Sequence, residues 1–287
     1  MIFRKKKKVN EGKFLIPGFE LAYLNWGKLN NPPLLLLHGW LDNAGAFEKL
    51  GPLLGKQFNV FALEFSGHGK SSWIPEGMAY HFIDYVYDLA AVIQKQQWGP
   101  LPIVGHSMGS AIAGLLSSSH PGFISKLVFL DGMGALSGDE KDCVEQLSRF
   151  IERRLHPSSS RKIYASIEDA AKARMKTGEI PFDVALGIAH RGTVSEDDGV
   201  RWAFDPALTT PSAYRFTENM VKNFLKSMNI PVLLIEGTQG YSHYRSLFSQ
   251  RKKEIIDLRT EVFSGSHYVH EEHANEVAEK IVKFLTE

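Results

Sequence analysis

Short apolar runs alternate with helix-like segments along the first half of this chain. Strands that are buried on both faces of a parallel sheet have such runs, because helices cover the sheet on either side. Segments with apolar residues at helical spacing, such as 82–93, separate the runs. The runs are LLLLHG (34–39), FNVFALEF (58–65), LPIVG (101–105) and KLVFLD (126–131). The alternation predicts an α/β fold, with a mostly parallel sheet and helices on both faces.

The alternation stops after Asp131 and resumes with IPVLLIEG at 230–237. Residues 137–225 contain amphipathic helical segments but no strong buried strand. An interruption of this kind predicts a helical cap, inserted over one end of the sheet into a single domain of residues 1–287. At the start, FLIPGFELAYLNWG predicts an N-terminal hairpin. The basic residues before it, 1–12, are expected to form a flexible tail.

Composition excludes several classes of protein. A hydrophobic content of 44% and a net charge of +1 are ordinary for a globular protein and favour no nucleic-acid partner. No apolar run approaches the roughly 18 residues of a membrane span, and no signal peptide follows the basic start. The single cysteine, Cys143, permits no intramolecular disulfide, and we expect it to be a buried small hydrophobe. We therefore expect a cytoplasmic protein, whose oligomeric state stays open.

The segment GHSMG (105–109) lies between an apolar run and the small-residue helix SAIAGLLSSS. It matches Gly-x-Ser-x-Gly, a pattern in which the serine occupies a strained turn between a strand and a helix. The small residues let the strand and the helix approach closely. The pattern and its flanks together predict that Ser107 is a nucleophile.

A serine hydroxyl is a weak nucleophile near neutral pH and needs an imidazole to accept its proton. His267 lies between the last strand-like run and the last helix, where the chain order serine, acid, histidine places the base. His270 is the nearest rival. The sequence HEEH (270–273) lacks the spacing of a zinc motif, so we expect a solvated helix start there and no metal.

Attack on an acyl carbon creates an oxyanion, which needs two backbone N–H donors. Met108 directly follows the nucleophile and supplies one donor by its position, and the loop after LLLLHG supplies the other at Trp40. The residues expected to line the substrate pocket are His38, Gly39, His106 and Trp202. The aromatic residues of the predicted cap either form an acyl pocket or pack in the core: Tyr164, Phe182, Trp202, Phe204, Tyr214 and Phe216.

Four segments in this order resemble the α/β-hydrolase superfamily over essentially the whole chain: LLLLHGWLDN, FSGHGKSS, GHSMGS and GSHYVHEE. A fifth, DPALTTPSAYRFTENM (205–220) followed by IPVLLIEGTQG, is similar more narrowly to the serine hydrolase-like proteins, the kraken-related group. The resemblance implies the α/β-hydrolase fold and a serine hydrolase that acts on an ester-like bond with no metal or organic cofactor. It also allows a peroxisomal location, although the tripeptide SKL occurs only internally, at 125–127.

The acid departs from the commonest pattern of the superfamily. Many members carry an aspartate in the turn after VLLIEG, where this chain has Gly, Thr, Gln and Gly at 237–240. Other members place the acid after the strand that precedes the cap, and the resemblance then implies that Asp131 orients His267. Glu236 is the reserve. An acid from the cap, such as Asp205, or a serine–histidine dyad are the remaining alternatives.

These features predict a carboxylesterase- or lipase-like hydrolase that cleaves a small-molecule acyl ester, thioester or amide through an acyl-enzyme on Ser107. Two other enzymatic uses of the same scaffold stay open, acyl transfer and carbon–carbon bond hydrolysis. A non-catalytic ligand-binding protein is the alternative from another class, and the absence of a carboxylate at 238–240 favours it.

Overall fold

The apolar runs form an eight-stranded sheet in the part of the chain that the computed structural model describes, residues 9–157, 162–178, 180–240 and 242–287. The strands are β1 (Asn10–Ile16), β2 (Phe19–Trp26), β3 (Pro33–Leu37), β4 (Asn59–Leu63), β5 (Leu101–His106), β6 (Ile124–Leu130), β7 (Thr193–Glu196), β8 (Gly199–Trp202), β9 (Val232–Gly237) and β10 (Leu258–Phe263). The order across the sheet is β1-β2-β4-β3-β5-β6-β9-β10, and β7 and β8 form a separate hairpin. Across the sheet from β4 to β10, every pair of neighbouring strands is parallel, which confirms the predicted mostly parallel sheet.

Helices cover both faces of this sheet. The α-helices of the described residues are α1 (Leu50–Leu54), α2 (Asp84–Lys95), α3 (Met108–Ser119), α4 (Cys143–Leu155), α5 (Ile167–Gly178), α6 (Phe182–Gly192), α7 (Glu218–Lys226), α8 (Ser242–Arg251), α9 (Val269–Glu272) and α10 (Ala274–Thr286). Successive side chains of a strand point to opposite faces. Leu35 and Leu37 of β3 therefore pack with α2 and α3, and Leu34 and Leu36 pack with α1 and α10. No helix in the described ranges is long and apolar enough to cross a membrane.

The chain enters the sheet through the predicted hairpin of β1 and β2, which pair antiparallel. Residues 1–8, the basic part of the predicted tail, lie outside the described residues. Residues 10–12 were also assigned to the tail, but they pair with residues 23–25 of β2. That part of the prediction is wrong, because the polar residues of an edge strand carry no apolar pattern that would separate them from a solvated tail.

The segment between β6 and β9, residues 131–231, interrupts the α/β alternation, and we call it the inserted segment. Within it α5 and α6 pack together in an apolar cluster that also includes Ala46 and Tyr268. All but the last residue of helix α7 falls inside the boundaries predicted for a cap, 137–225. Its residues Val221 and Leu225, however, pack in the same core as α3, so α7 belongs to the helical cover of the sheet.

Helix α4 lies on the surface and buries none of its residues. Cys143, its first residue, is exposed, so the prediction of a buried small hydrophobe is wrong. The apolar side of α4, with Val144 and Leu147, is also exposed. Packing therefore decided the environment of this cysteine, and the amphipathic pattern of the helix did not reveal it.

The carboxyl ends of the parallel strands meet at one edge of the sheet. The segments that follow β3, β5 and β6 carry Trp40, Ser107 and Asp131, and His267 follows β10. Because β5 lies between β3 and β6, Ser107 is flanked by the segments of Trp40 and Asp131. Open α/β sheets bind their ligands at this edge, so a functional site is expected there.

Candidate active site

Ser107 occupies a strained turn between β5 and α3. Its φ of 50° and ψ of −111° lie outside the regions that a residue with a side chain favours. The N–H of Ser107 donates to the carbonyl of Leu130 at 3.1 Å, and the N–H of Gly109 donates to the carbonyl of His38 at 3.1 Å. Hydrogen bonds to the ends of both neighbouring strands therefore hold this turn in its strained conformation.

Glycines flank the turn because a side chain would not fit there. A Cβ atom on Gly105 would lie 2.5 Å from the nitrogen of Ser110. A Cβ atom on Gly109 would lie 2.3 Å from the carbonyl oxygen of Leu37 in β3. The two glycines of the Gly-x-Ser-x-Gly pattern are therefore packing requirements of the junction between β3, β5 and α3.

Replacing Gly109 with alanine is expected to destabilise the fold by about 2 kcal/mol, because backbone atoms of β3 would have to move. Gly114, in the same helix, offers a matched control: its added Cβ would meet the Phe129 ring at 3.4 Å, an ordinary contact. Gly114→Ala is expected to raise stability by up to about 1 kcal/mol. Urea unfolding of both variants measures the difference, and equal stabilities would contradict the assigned packing.

Asp131 and His267 form a buried hydrogen-bonded pair. Asp131 Oδ2 lies 2.7 Å from His267 Nδ1, and both side chains are less than a tenth exposed. The second oxygen, Asp131 Oδ1, accepts from the N–H of Gly237 at 3.0 Å. A carboxylate at this place keeps the proton on Nδ1 and leaves Nε2 as the acceptor nitrogen of the ring. The backbone carbonyl of His267 in turn accepts from His106 Nε2 at 3.0 Å.

The other candidate acids are engaged elsewhere. Glu236 forms an ion pair with Lys252. Asp205 accepts from the hydroxyl of Tyr80 at 2.9 Å and from the N–H of Ala207 at 2.9 Å, which caps the short helix at 206–209. The structure therefore brings Asp131 to His267 and binds both alternatives to other partners.

His270, the rival base, is fully buried, and its Nε2 donates to the carbonyl of Ala46 at 3.1 Å. Its neighbour Glu271 is also buried and accepts from the N–H groups of Lys49 and Leu50 at 3.0 Å each. The prediction of a solvated start for this helix is therefore wrong. Glu271 caps the N-terminus of α1, a role that depends on a contact between distant parts of the chain.

The N–H groups of Trp40 and Met108 are the two oxyanion donors that the sequence predicts. Met108 is the first residue of α3, so its N–H has no acceptor within the helix. Among the backbone hydrogen bonds of the described residues, none uses the N–H of Trp40 or of Met108. Both residues line the same cavity as Ser107. The indole of Trp40 is half exposed and donates to the carbonyl of Leu208 at 3.3 Å.

A cavity of about 530 Å³ opens above Ser107, between the edge of the sheet and the inserted segment. Ser107, Asp131 and His267 all line it, with Gly39 and His106. Its apolar wall consists of Phe82, Ile83, Met108, Ala111, Met133, Phe216 and Phe248. Of the aromatic residues that the sequence offered for an acyl pocket, Tyr214 and Phe216 line the cavity.

Two residues predicted to line the pocket do not line it. His38 is fully buried, and its ring bonds to the carbonyl of Gly39 at 2.7 Å and to the N–H of Phe65 at 3.1 Å. Trp202 packs against the apolar cluster of α5 and α6 and against Phe204, 6.2 Å between ring centroids. Both predictions are wrong. The direction of the His38 side chain depends on how the loop after β3 turns, and Trp202, the last residue of β8, is placed by the packing of that strand in the inserted segment.

Sequence reasoning also missed a buried carboxylate beside the loop of Trp40. Asp42 accepts from Arg174 at 2.9 Å and from the hydroxyl of Tyr268 at 2.9 and 3.0 Å. These three residues line the cavity. The one signal in the sequence was an aspartate two residues after Trp40, in HGWLDN, while Arg174 has the pattern of an ordinary charged residue on an amphipathic helix.

Four buried histidines surround this edge of the sheet as neutral rings. Each one bonds through a ring nitrogen to a backbone carbonyl. Burial lowers the pKa of each ring, to about 3 for His68 and for His106 and in the same direction for His38 and His270. The folded state therefore takes up protons on these rings only well below the pH at which the unfolded chain does.

The buried histidines are expected to make the protein less stable in acid. An unfolded histidine binds a proton below its pKa of about 6.5, whereas the buried rings of His68 and His106 bind one only near pH 3, so unfolding takes up protons on these two rings between about pH 6.5 and pH 3. The contribution of each of these rings to stability therefore falls as the pH falls through this window, by up to about 1.4 kcal/mol per pH unit. Urea unfolding at a series of pH values measures this slope.

The variant His68→Asn keeps a donor for the carbonyl of Ser66 and removes the titrating ring, so its slope is expected to be smaller by about one proton. The side chain of His156 is 80% exposed, and His156→Asn is expected to leave the slope unchanged. Equal slopes for the wild type and His68→Asn would contradict the assignment.

Comparison with known proteins identifies the fold and the family of this chain. A family model for the alpha/beta hydrolase fold matches residues 32–153. The serine hydrolase-like protein of Mus musculus is 30% identical over 96% of this chain and 95% of its own length. A serine hydrolase-like protein of Dictyostelium discoideum is 30% identical over 94% of this chain and 79% of its own length. The crystal structure of a hypothetical protein from Pseudomonas aeruginosa is 31% identical, with a TM-score of 0.90 over 96% of this chain and 99% of that one.

The eight-stranded sheet, the helices on both faces and the turn at Ser107 define an α/β hydrolase. With its full-length relatives, the chain belongs to the serine hydrolase-like proteins of the α/β-hydrolase superfamily.

Proposed function

We propose that this chain is a serine hydrolase that cleaves a carboxylic ester of a small-molecule acyl substrate through an acyl-enzyme on Ser107. One observation carries the proposal: Ser107 in its strained turn and the hydrogen-bonded pair of Asp131 and His267 line the same cavity. The family supports hydrolase chemistry, and the arrangement of these three side chains supports the route through a serine nucleophile.

In the first half of the proposed reaction, His267 Nε2 accepts the proton of the Ser107 hydroxyl while the oxygen attacks the acyl carbon. The tetrahedral intermediate carries its negative charge on the former carbonyl oxygen, which accepts from the N–H groups of Trp40 and Met108. Asp131 holds the ring and stabilises the imidazolium. The protonated His267 then donates to the leaving alcohol, and the ester bond of the intermediate breaks.

In the second half, water attacks the acyl group on Ser107. His267 now accepts a proton from the water, and the same two N–H groups stabilise the second tetrahedral intermediate. Collapse of this intermediate releases the carboxylic acid and returns the proton to Ser107. The reaction consumes one ester and one water and yields one acid and one alcohol.

The cavity supports a substrate with an apolar acyl group. Its volume of about 530 Å³ lies within the range typical of small-molecule sites. The inserted segment supplies one side of this cavity, including Leu136, Tyr214 and Phe216, and we propose that it acts as the cap over the substrate. Thioesters and amides follow the same route with a different leaving group.

A panel of p-nitrophenyl esters, from acetate to dodecanoate, tests the proposal. Release of p-nitrophenol is expected, with the largest kcat/KM for the chain that best fills the apolar wall. Mass spectrometry of acid-quenched wild-type protein is expected to find the acyl group on the peptide that contains Ser107. Added methanol separates acyl transfer from hydrolysis, because a transferase forms the methyl ester in preference to the acid.

The same panel can overturn the proposal. A purified wild-type protein that turns over no ester, thioester or amide and resists a fluorophosphonate probe would favour a binding protein that retained the pocket. An acyl adduct on any residue other than Ser107 would remove Ser107 from the mechanism.

A further inference from the structure

The loop that follows β3 is held in an unfavourable conformation. It forms a tight turn, in which the N–H of Asp42 donates to the carbonyl of Gly39 at 3.1 Å. Within the turn Leu41 has a φ of 61°, in the left-handed region that side chains disfavour. The N–H of Trp40, the proposed oxyanion donor, lies in this turn. A turn of this kind keeps its geometry only when contacts from outside it supply the missing stability.

Arg174, from α5 of the inserted segment, supplies such contacts. Its Nη2 donates to the backbone carbonyl of Trp40 at 3.2 Å and to Asp42 Oδ1 at 2.9 Å. One guanidinium therefore binds both the main chain of the turn and the carboxylate at its end. The N–H of Trp40 lies in one peptide plane with the carbonyl of Gly39, which accepts from the N–H of Asp42. By fixing Asp42, Arg174 therefore limits the rotation of this peptide group that would turn the Trp40 N–H away.

The contact between Arg174 and Asp42 is shielded from water. The Asp42 side chain is 1% exposed and that of Arg174 is 15% exposed. Burial alone would raise the pKa of the Asp42 carboxyl, but the charge of Arg174 beside it lowers this pKa below its ordinary value. The carboxylate is therefore charged at neutral pH. Its hydrogen bonds to Tyr268, the residue after His267, connect it to the loop that carries the proposed base.

We propose that Arg174 is a positioning residue that aims the Trp40 N–H at the oxyanion, so that the oxyanion site is complete only while α5 lies against the turn. This inference rests on the proposed function, since it assigns a role within the same reaction. The inserted segment then does more than cover the substrate, because one of its side chains sets the geometry of the site that stabilises the charge.

Arg191 provides a matched control for loss of stability alone. It lies on α6, also in the inserted segment, and its guanidinium binds the buried carboxylate of Glu64 at 2.6 and 3.0 Å. It does not line the cavity. Both arginines therefore tie the inserted segment to a buried carboxylate near the edge of the sheet, and only Arg174 contacts the turn that carries Trp40.

The test compares the variants Arg174→Gln, Arg174→Ala and Arg191→Gln with the wild type on the best ester of the panel. Losing one oxyanion donor reduces kcat by about 10² to 10³ in other enzymes, and a misdirected donor is expected to cost about 30- to 100-fold. We expect kcat of both Arg174 variants to fall by this factor with KM little changed. Affinity for a trifluoromethyl ketone, whose serine adduct carries an oxyanion, is expected to fall by the same factor.

Added guanidinium ion is expected to restore part of kcat in Arg174→Ala without restoring its Tm. For Arg191→Gln we expect a lower Tm and a wild-type kcat below its melting temperature. A folded Arg174→Gln that keeps the wild-type kcat, or raises KM alone, would overturn the positioning role. Turnover by the wild type is measured before any variant is compared. A wild type that turns over no ester of the panel would overturn the proposed function and this inference with it.

Discussion

Replacing Ser107 with alanine is expected to lower kcat for an activated ester by about 10⁵- to 10⁶-fold, as in serine hydrolases that lose the nucleophile. The expectation follows from the proposed mechanism, because the hydroxyl forms the covalent bond to the acyl group. The acyl adduct and the labelling by a fluorophosphonate are expected to disappear with it. Stopped-flow measurement of p-nitrophenol release shows whether the initial burst is lost.

Ser119→Ala is a suitable control, because this serine lies in the same helix and its hydroxyl donates to the carbonyl of Leu115 at 2.9 Å. We expect that variant to keep the wild-type kcat. A Ser107→Ala variant that retained a tenth or more of the wild-type rate would remove the acyl-enzyme from the mechanism.

Replacing Asp131 with asparagine is expected to lower kcat by about 10⁴-fold, equivalent to about 5.5 kcal/mol in the barrier. An asparagine cannot hold His267 with its proton on Nδ1 and cannot stabilise the imidazolium. Its side-chain oxygen can still accept from the N–H of Gly237, so the fold is expected to tolerate the change. Steady-state kinetics, with a thermal melt of the same preparation, separates loss of activity from loss of structure.

The matched control is Glu236→Gln, which removes the carboxylate that the sequence left as the reserve. We expect this variant to retain the wild-type activity, because Glu236 binds Lys252. The opposite result, an active Asp131→Asn and an inactive Glu236→Gln, would assign the acid to the strand β9. If both variants keep the wild-type activity, the result would indicate a dyad of Ser107 and His267.

The sequence predicted the parallel sheet because buried strands leave an unbroken apolar run, and this pattern depends only on the chain itself. It predicted the turn at Ser107 for a similar reason. The glycines of GHSMG are needed where β5 and α3 meet, so a contact within a few residues leaves a visible pattern. Asp131 ends the run KLVFLD, and the structure places its carboxylate 2.7 Å from His267.

The sequence predictions that were wrong share a different cause. His270 and Glu271 look like part of a solvated helix start, yet contacts with α1 and with residue 46 bury them. Cys143 looks like a core residue of an amphipathic helix, yet nothing in the described part of the chain covers that helix. In each case the deciding neighbour is distant in sequence, and a periodic pattern cannot identify it.

The sequence by itself determined the fold class, the strained turn of Ser107 and the candidates for base and acid, because each depends on local apolar pattern, on glycine or on chain order. Tertiary structure decided which carboxylate faces His267, which residues line the cavity and that Arg174 reaches the turn of Trp40. These depend on side-chain directions at loop ends and on hydrogen bonds between segments more than a hundred residues apart, which leave no local pattern in the sequence.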